Sequence, residues 1–146
     1  VEHRIELVRT LRGVRYYNDS IASSPSRTIA GLRSFKKKVI LIAGGYDKKI
    51  SYDELGPEIV KHVKTLVLTG TTAAKIRAAT EKAPEYSEGN PTIMQFEDFD
   101  EAVKAAASVA KDGDIVILSP ASASFDRFKN FAERGNHFKK LVNELE

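Results

Sequence analysis

At 146 residues, 42% hydrophobic and 29% charged, the chain has the size and balance of one globular domain with its own core. It contains no cysteine, which excludes disulfides, thiolate metal sites and thiol nucleophiles. A net charge of +3 from dispersed residues does not argue for nucleic acid, and no apolar run approaches the roughly 20 residues of a membrane span.

Two short alternating runs come first, Glu6 to Leu11 and Val14 to Tyr17, with Arg12-Gly13 between them as a hairpin turn. Ser24-Pro25 then opens a helix, with Ser24 as N-cap, Pro25 at the first helical position, and Ile29, Leu32 and Phe35 at helical spacing. Lys36-Lys37-Lys38 reads as the solvated C-terminus of that helix. The run Val39 to Ala43 is a continuous apolar strand ending in Gly44-Gly45. A helix from Tyr52 to His62, a strand from Leu66 to Gly70 and a helix from Thr72 to Glu81 follow. After a plain connection from Ala83 to Pro91 come a strand (Thr92 to Phe96), a helix (Phe99 to Ala110), a strand (Asp114 to Leu118) and a last helix (Phe128 to Leu145). Strands apolar on both faces, alternating with helices, predict an α/β, Rossmann-like, mostly parallel sheet of about six strands. Helices cover both faces and the N-terminal edge is antiparallel.

In such sheets ligands gather outside the carboxyl ends of the strands. Those ends carry Asn18-Asp19-Ser20, Gly44-Gly45-Tyr46-Asp47-Lys48, Thr69-Gly70-Thr71-Thr72 and Ser119 to Ser124. Hydroxyls, glycines, a lysine and an aspartate at helix N-termini are suited to holding an anion. Neither a G-x-G-x-x-G turn nor a G-x-x-x-x-G-K-[ST] phosphate loop is present, and His3, His62 and His137 lack metal-ligand spacing. Taken singly, Asn18-Asp19-Ser20 is also a capped turn, Lys48 a solvated loop lysine, and Phe128, Phe131 and Phe138 a core stripe.

Together, His3-Arg4, Asn18 to Ser23, Gly44 to Lys48 and the block "SPASASFDRFKNFAERGNHF" from Ser119 to Phe138 resemble the C-terminal domain of a Mur ligase, in its D-glutamate-adding branch. The resemblance covers essentially the whole chain. It implies one domain over 1–146, with an N-terminal UDP-binding domain and a central ATPase domain lying elsewhere; the start at Val1 reads as an excision at a hinge, with Val1 to Glu6 outside the core. It further implies an ATP-dependent, amide-forming ligase of peptidoglycan precursor synthesis in the bacterial cytoplasm, monomeric and without nucleic-acid or membrane partners. UDP-N-acetylmuramoyl-L-alanine, ATP and magnesium would be held mainly by the other domains. Alone, the chain would be inactive, with no catalytic residue and no metal of its own. By motif, Ser23, Lys48, Ser124, Phe125 and Phe131 would bind D-glutamate. Arg4 and Asp19 would reach ATP. Lys48 would extend toward the Ser124 turn, and the small residues of Ser119 to Ser124 would admit a carboxylate to the next helix's N-terminus. Many members read Asp-Ser-Lys-Ala-Thr where this chain has Asp19-Ser20-Ile21-Ala22-Ser23, so one cation is missing at Ile21. Gly89-Asn90-Pro91-Thr92 lacks the charged ends of the Asp-Asn-Pro-Arg-like motif of diaminopimelate- and lysine-adding relatives. Two other readings stand beside this one, a stand-alone module for a small anion or nucleotide and the C-terminal domain of a folate-polyglutamating ligase.

Overall fold

The computed structural model describes residues 1–146. Its elements run β1 (Glu6–Leu11), β2 (Val14–Asn18), α1 (Pro25–Arg33), β3 (Val39–Ala43), α2 (Leu55–His62), β4 (Val63–Thr69), α3 (Ala73–Glu81), β5 (Thr92–Phe96), α4 (Phe99–Val109), β6 (Ile115–Leu118) and α5 (Phe131–Asn143). They form one six-stranded sheet in the order β1-β2-β6-β3-β4-β5. Only β1 and β2 pair antiparallel, joined at Arg12 and Gly13, both at positive φ as a tight hairpin turn requires. The expected α/β architecture with its antiparallel N-terminal edge is therefore the one observed.

All five residues of β3 are buried, and its pleat divides them. Val39, Leu41 and Ala43 join Leu32 of α1, Leu55 and Ile59 of α2 and Ile76 of α3 on one face. Ile40 and Ile42 meet Phe99 and Val103 of α4 and Phe138 and Val142 of α5 on the other. Each of these valine, leucine, isoleucine and phenylalanine side chains stabilises the fold by about 1.5–3 kcal/mol. The connection from β2 to β3 runs through α1 on the first face, and that from β5 to β6 through α4 on the second. Because β6 lies between β2 and β3, this change of face opens a crevice at their carboxyl ends.

Several element boundaries differ from those expected. α1 stops at Arg33, so Lys36 to Lys38 lie in the turn before β3 rather than in a helix end. α2 begins at Leu55, and Tyr52 instead turns inward to hydrogen-bond Ser122 at 2.9 Å. The last helix begins at Phe131 rather than Phe128, because the Asn130 side chain accepts the Glu133 amide at 2.8 Å and fixes the N-terminus there. Phe128 still reaches the core from the preceding loop, its ring edge-on to Phe99 at 5.2 Å. The N-terminal segment is not free of the core either. His3 is buried, its carbonyl accepts the Ile21 amide at 3.1 Å, and the Ile5 amide donates to Asp19.

Candidate functional site

The loop Ser119 to Ser124, which follows β6, binds its neighbours rather than a free helix end. The Gly44 amide donates to Pro120 O at 2.9 Å and the Tyr46 amide to Ala123 O at 2.8 Å, while the Ala121 amide donates to Ala22 O. Gly44, at φ 108°, lies against the Thr69 carbonyl, so a side chain is excluded there. Ser122 Oγ pairs with Thr72 Oγ1 at 2.8 Å, and that threonine accepts the Gly45 amide. Ser119 Oγ donates to Asp19 at 2.7 Å. These serines hold three loops together, and small residues are needed because backbones approach closely. The hydroxyls of Ser119 and Ser122 are thus engaged within the protein, and that of Ser124 is not.

Beside the loop after β2, which Ser119 and Ala121 hold in place, lie two adjoining cavities. One, of about 380 Å³, is lined by Ile21, Ser23, Ser24, Arg27, Lys48 and Phe131. The other, of about 320 Å³, is lined by residues including Arg4, Asp19, Ile21 and Arg27. Both have the size of small-molecule sites. Three of the five residues assigned to the amino acid (Ser23, Lys48 and Phe131) thus share one cavity, and the two assigned to ATP (Arg4 and Asp19) share its neighbour. Ser124 and Phe125 line neither. Ser124 is 3% exposed, with its carbonyl accepting from Arg127 and Phe128, whereas Phe125 is 64% exposed and packs edge-on against Tyr46. Lys48 thus shares its cavity with Ser23 and Phe131.

Lys48 is exposed, and the nearby Asp47 is already paired with Lys75 at 2.8 Å. Asp19 is 3% exposed, with Oδ1 accepting the Ile5 amide at 3.1 Å and Oδ2 the Ser119 hydroxyl. Burial pushes its carboxyl pKa up, against the opposing effects of Ser119, the Ile5 amide, Arg4 and Arg27. A carboxyl raised in the folded state stabilises the fold when protonated, and that contribution is lost as pH rises through its folded value. Asp19→Asn is thus expected to raise Tm at pH 7, with the gain shrinking as pH falls toward the ordinary carboxylate range. A thermal shift of equal size at pH 7 and in mild acid would contradict this.

Two structural residues of the site escaped sequence reasoning. Arg134 is 2% exposed and donates to Ser20 Oγ at 3.0 Å, Ser122 O at 2.9 Å, Ser20 O at 2.8 Å and Ser23 Oγ at 3.4 Å. Burial lowers its pKa to about 10, so it stays charged at neutral pH, with Asp126 as the carboxylate that favours the charge. His3 lies between Asn18, whose side-chain amide is 2.9 Å from its Nδ1, and the Phe131 ring, 5.9 Å away edge-on. Gly135 of α5 allows this, since a Cβ there would stand 2.2 Å from the His3 ring. No three His, Cys, Asp or Glu side chains are grouped so as to hold a metal ion, and no helix is long and apolar enough to cross a membrane.

An open, mostly parallel sheet with helices on both faces and two adjoining cavities beside the end of β2 is a doubly wound α/β architecture. Residues 3–122 match the model of the Mur ligase, glutamate ligase domain, and the chain belongs to that family. It is 63% identical over its whole length to a UDP-N-acetylmuramoylalanine–D-glutamate ligase of Acetivibrio thermocellus, and 56% identical over 99% of its length to the ligase of that name from Clostridium novyi. It spans 32% of the length of each. Among solved structures, a murein peptide ligase from Psychrobacter arcticus superposes over 99% of this chain and 30% of its own, with a TM-score of 0.65 at 14% identity. A Mycobacterium tuberculosis folylpolyglutamate synthase does so over 100% of this chain and 33% of its own, at 0.63 and 14%. At such identity these two likenesses show the fold alone.

Proposed function

We propose that this chain is the amino-acid-delivering domain of a ligase that joins D-glutamate to UDP-N-acetylmuramoyl-L-alanine in the bacterial cytoplasm. The observation that carries the reading is the pair of adjoining cavities, with Ser23, Lys48 and Phe131 in one and Arg4 and Asp19 in the other. The Lys48 ammonium attracts a carboxylate, the Ser23 hydroxyl donates to it, and the Phe131 ring covers the methylene chain. Arg4 and Asp19 suit the edge of a nucleotide, a cation for phosphate and a carboxylate for a sugar hydroxyl.

In this reaction ATP activates the L-alanyl carboxylate as an acyl phosphate. The D-glutamate nitrogen then forms the new C–N bond, the C–O bond to phosphate breaks, and the nitrogen loses a proton. This domain's part is to fix the attacking amine beside the activated carbonyl, which replaces a bimolecular encounter with a positioned one. The phosphates of ATP, its magnesium and the UDP moiety are assigned to the rest of such a ligase, because this chain has no phosphate loop. The folate-ligase reading has only fold likeness behind it, whereas the relatives of high identity bear the D-glutamate name.

The test is phosphate release by the ligase carrying this domain, given ATP, UDP-N-acetylmuramoyl-L-alanine and one amino acid at a time. D-Glutamate is expected to drive release and amide formation, while L-glutamate, lysine and diaminopimelate do not, and the 146-residue chain alone turns over no ATP. Equal rates with L-glutamate, or stoichiometric ATP turnover by the chain alone, would contradict the proposal.

A further inference from the structure

The cavity that holds Lys48 contains a second cation. Arg27 lines it and also lines the neighbouring cavity, so its side chain stands on the wall between them. No acidic residue lines the Lys48 cavity, and Arg27 forms no salt bridge. Other arginines and lysines at the surface do pair, Arg33 with Glu58, Lys75 with Asp47 and Lys139 with Glu2 and Glu6. Arg27 is the third residue of α1, whose first turn has no acidic side chain, so its charge sits against the positive end of the helix dipole. It is exposed, and it fills no part of the core. Packing and the helix dipole do not account for an arginine here; its charge does act on the buried Asp19 in the neighbouring cavity, though without a direct salt bridge.

Resting on the function proposed above, we propose that Arg27 is a specificity-determining residue that binds the second carboxylate of the dicarboxylic amino acid held by Lys48. A cavity with two cations, two serines and no acid matches a ligand with two carboxylates, one for each cation, and leaves its amine free to react. Ile21 is the other residue common to both cavities, so a lysine at that position carries a charge to the same wall.

The test is steady-state kinetics of the ligase carrying this domain, for Arg27→Gln and for Arg27→Gln combined with Ile21→Lys. Arg27→Gln is expected to raise the KM for D-glutamate about 10- to 100-fold, with the KM for ATP and for the UDP substrate within about twofold of wild type. Adding Ile21→Lys is expected to recover most of that loss, which a purely structural role for Arg27 does not predict. A D-glutamate KM within about twofold of wild type in Arg27→Gln overturns the assignment. So does a defect that falls on ATP instead, or one that Ile21→Lys leaves unchanged. If the underlying function is wrong, the failure is separate and comes earlier, as a wild-type ligase indifferent to D-glutamate.

Discussion

Arg134→Met is expected to destabilise the domain by about 2–4 kcal/mol, lowering Tm by roughly 5–15 °C at this size. Methionine fills similar volume but donates no hydrogen bond. The Ser20 and Ser122 carbonyls lose their guanidinium donors inside the protein, and the Ser23 hydroxyl loses its anchor. Hydrogen bonds from a charged donor contribute about 1.5–3 kcal/mol each. Part of that loss is offset because the variant no longer buries a cation, a penalty visible in the lowered pKa of about 10. Arg134→Lys is expected to fall between wild type and Met, since an ammonium cannot span α5, the turn after β2 and the loop after β6 together. Differential scanning calorimetry of the three proteins checks the order. A Met variant within about 2 °C of wild type would show that the loops hold their places without Arg134.

Lys48→Ala is expected to have a large functional effect. Its side chain is exposed, so the variant should fold normally. In the ligase carrying this domain the loss of one charge-assisted contact is worth about 1.5–3 kcal/mol, roughly ten- to a hundredfold in the KM or kcat/KM for D-glutamate. The affinity for the UDP substrate should be unchanged, because that ligand is assigned to other domains. A solvated lysine without a role would leave both quantities unaltered, so unchanged D-glutamate kinetics would remove Lys48 from the site.

The elements were legible because their signals were local and consistent. The five apolar residues of β3, the Arg12-Gly13 turn and Pro25 at a helix start each allow few conformations. The start of α5 was missed because Phe128 continues the aromatic spacing of Phe131 and Phe138, while Asn130 caps the helix three residues later. The motif resemblance named Ser23, Lys48 and Phe131, which share one cavity. Grouping residues at strand ends supplied only Lys48 of these, and it did not foresee that Ser119 and Ser122 bind neighbouring loops. A run of small hydroxyl residues has the same composition whether it admits a ligand or a neighbouring backbone, and only the contacts of Gly44, Tyr46 and Thr72 distinguish the two. Arg134 did leave a signal, as a charged residue at helical spacing from Phe131 and Phe138 on the buried face. Its partners, Ser20 and Ser122, lie 114 and 12 residues away, and no local pattern reports them.

The most direct measurement is a titration of the isotopically labelled 146-residue chain with D-glutamate, followed by amide chemical shifts. The proposed site predicts saturable shifts at Ser23, Ser24, Arg27, Lys48 and Phe131, with a Kd of about a millimolar or weaker, because ATP and the acceptor are missing from this half of the site. Shifts clustered instead at the separate cavity of about 710 Å³ lined by residues including Gly70, Glu97 and Asp126, or no residue-specific response up to about 50 mM, would contradict it.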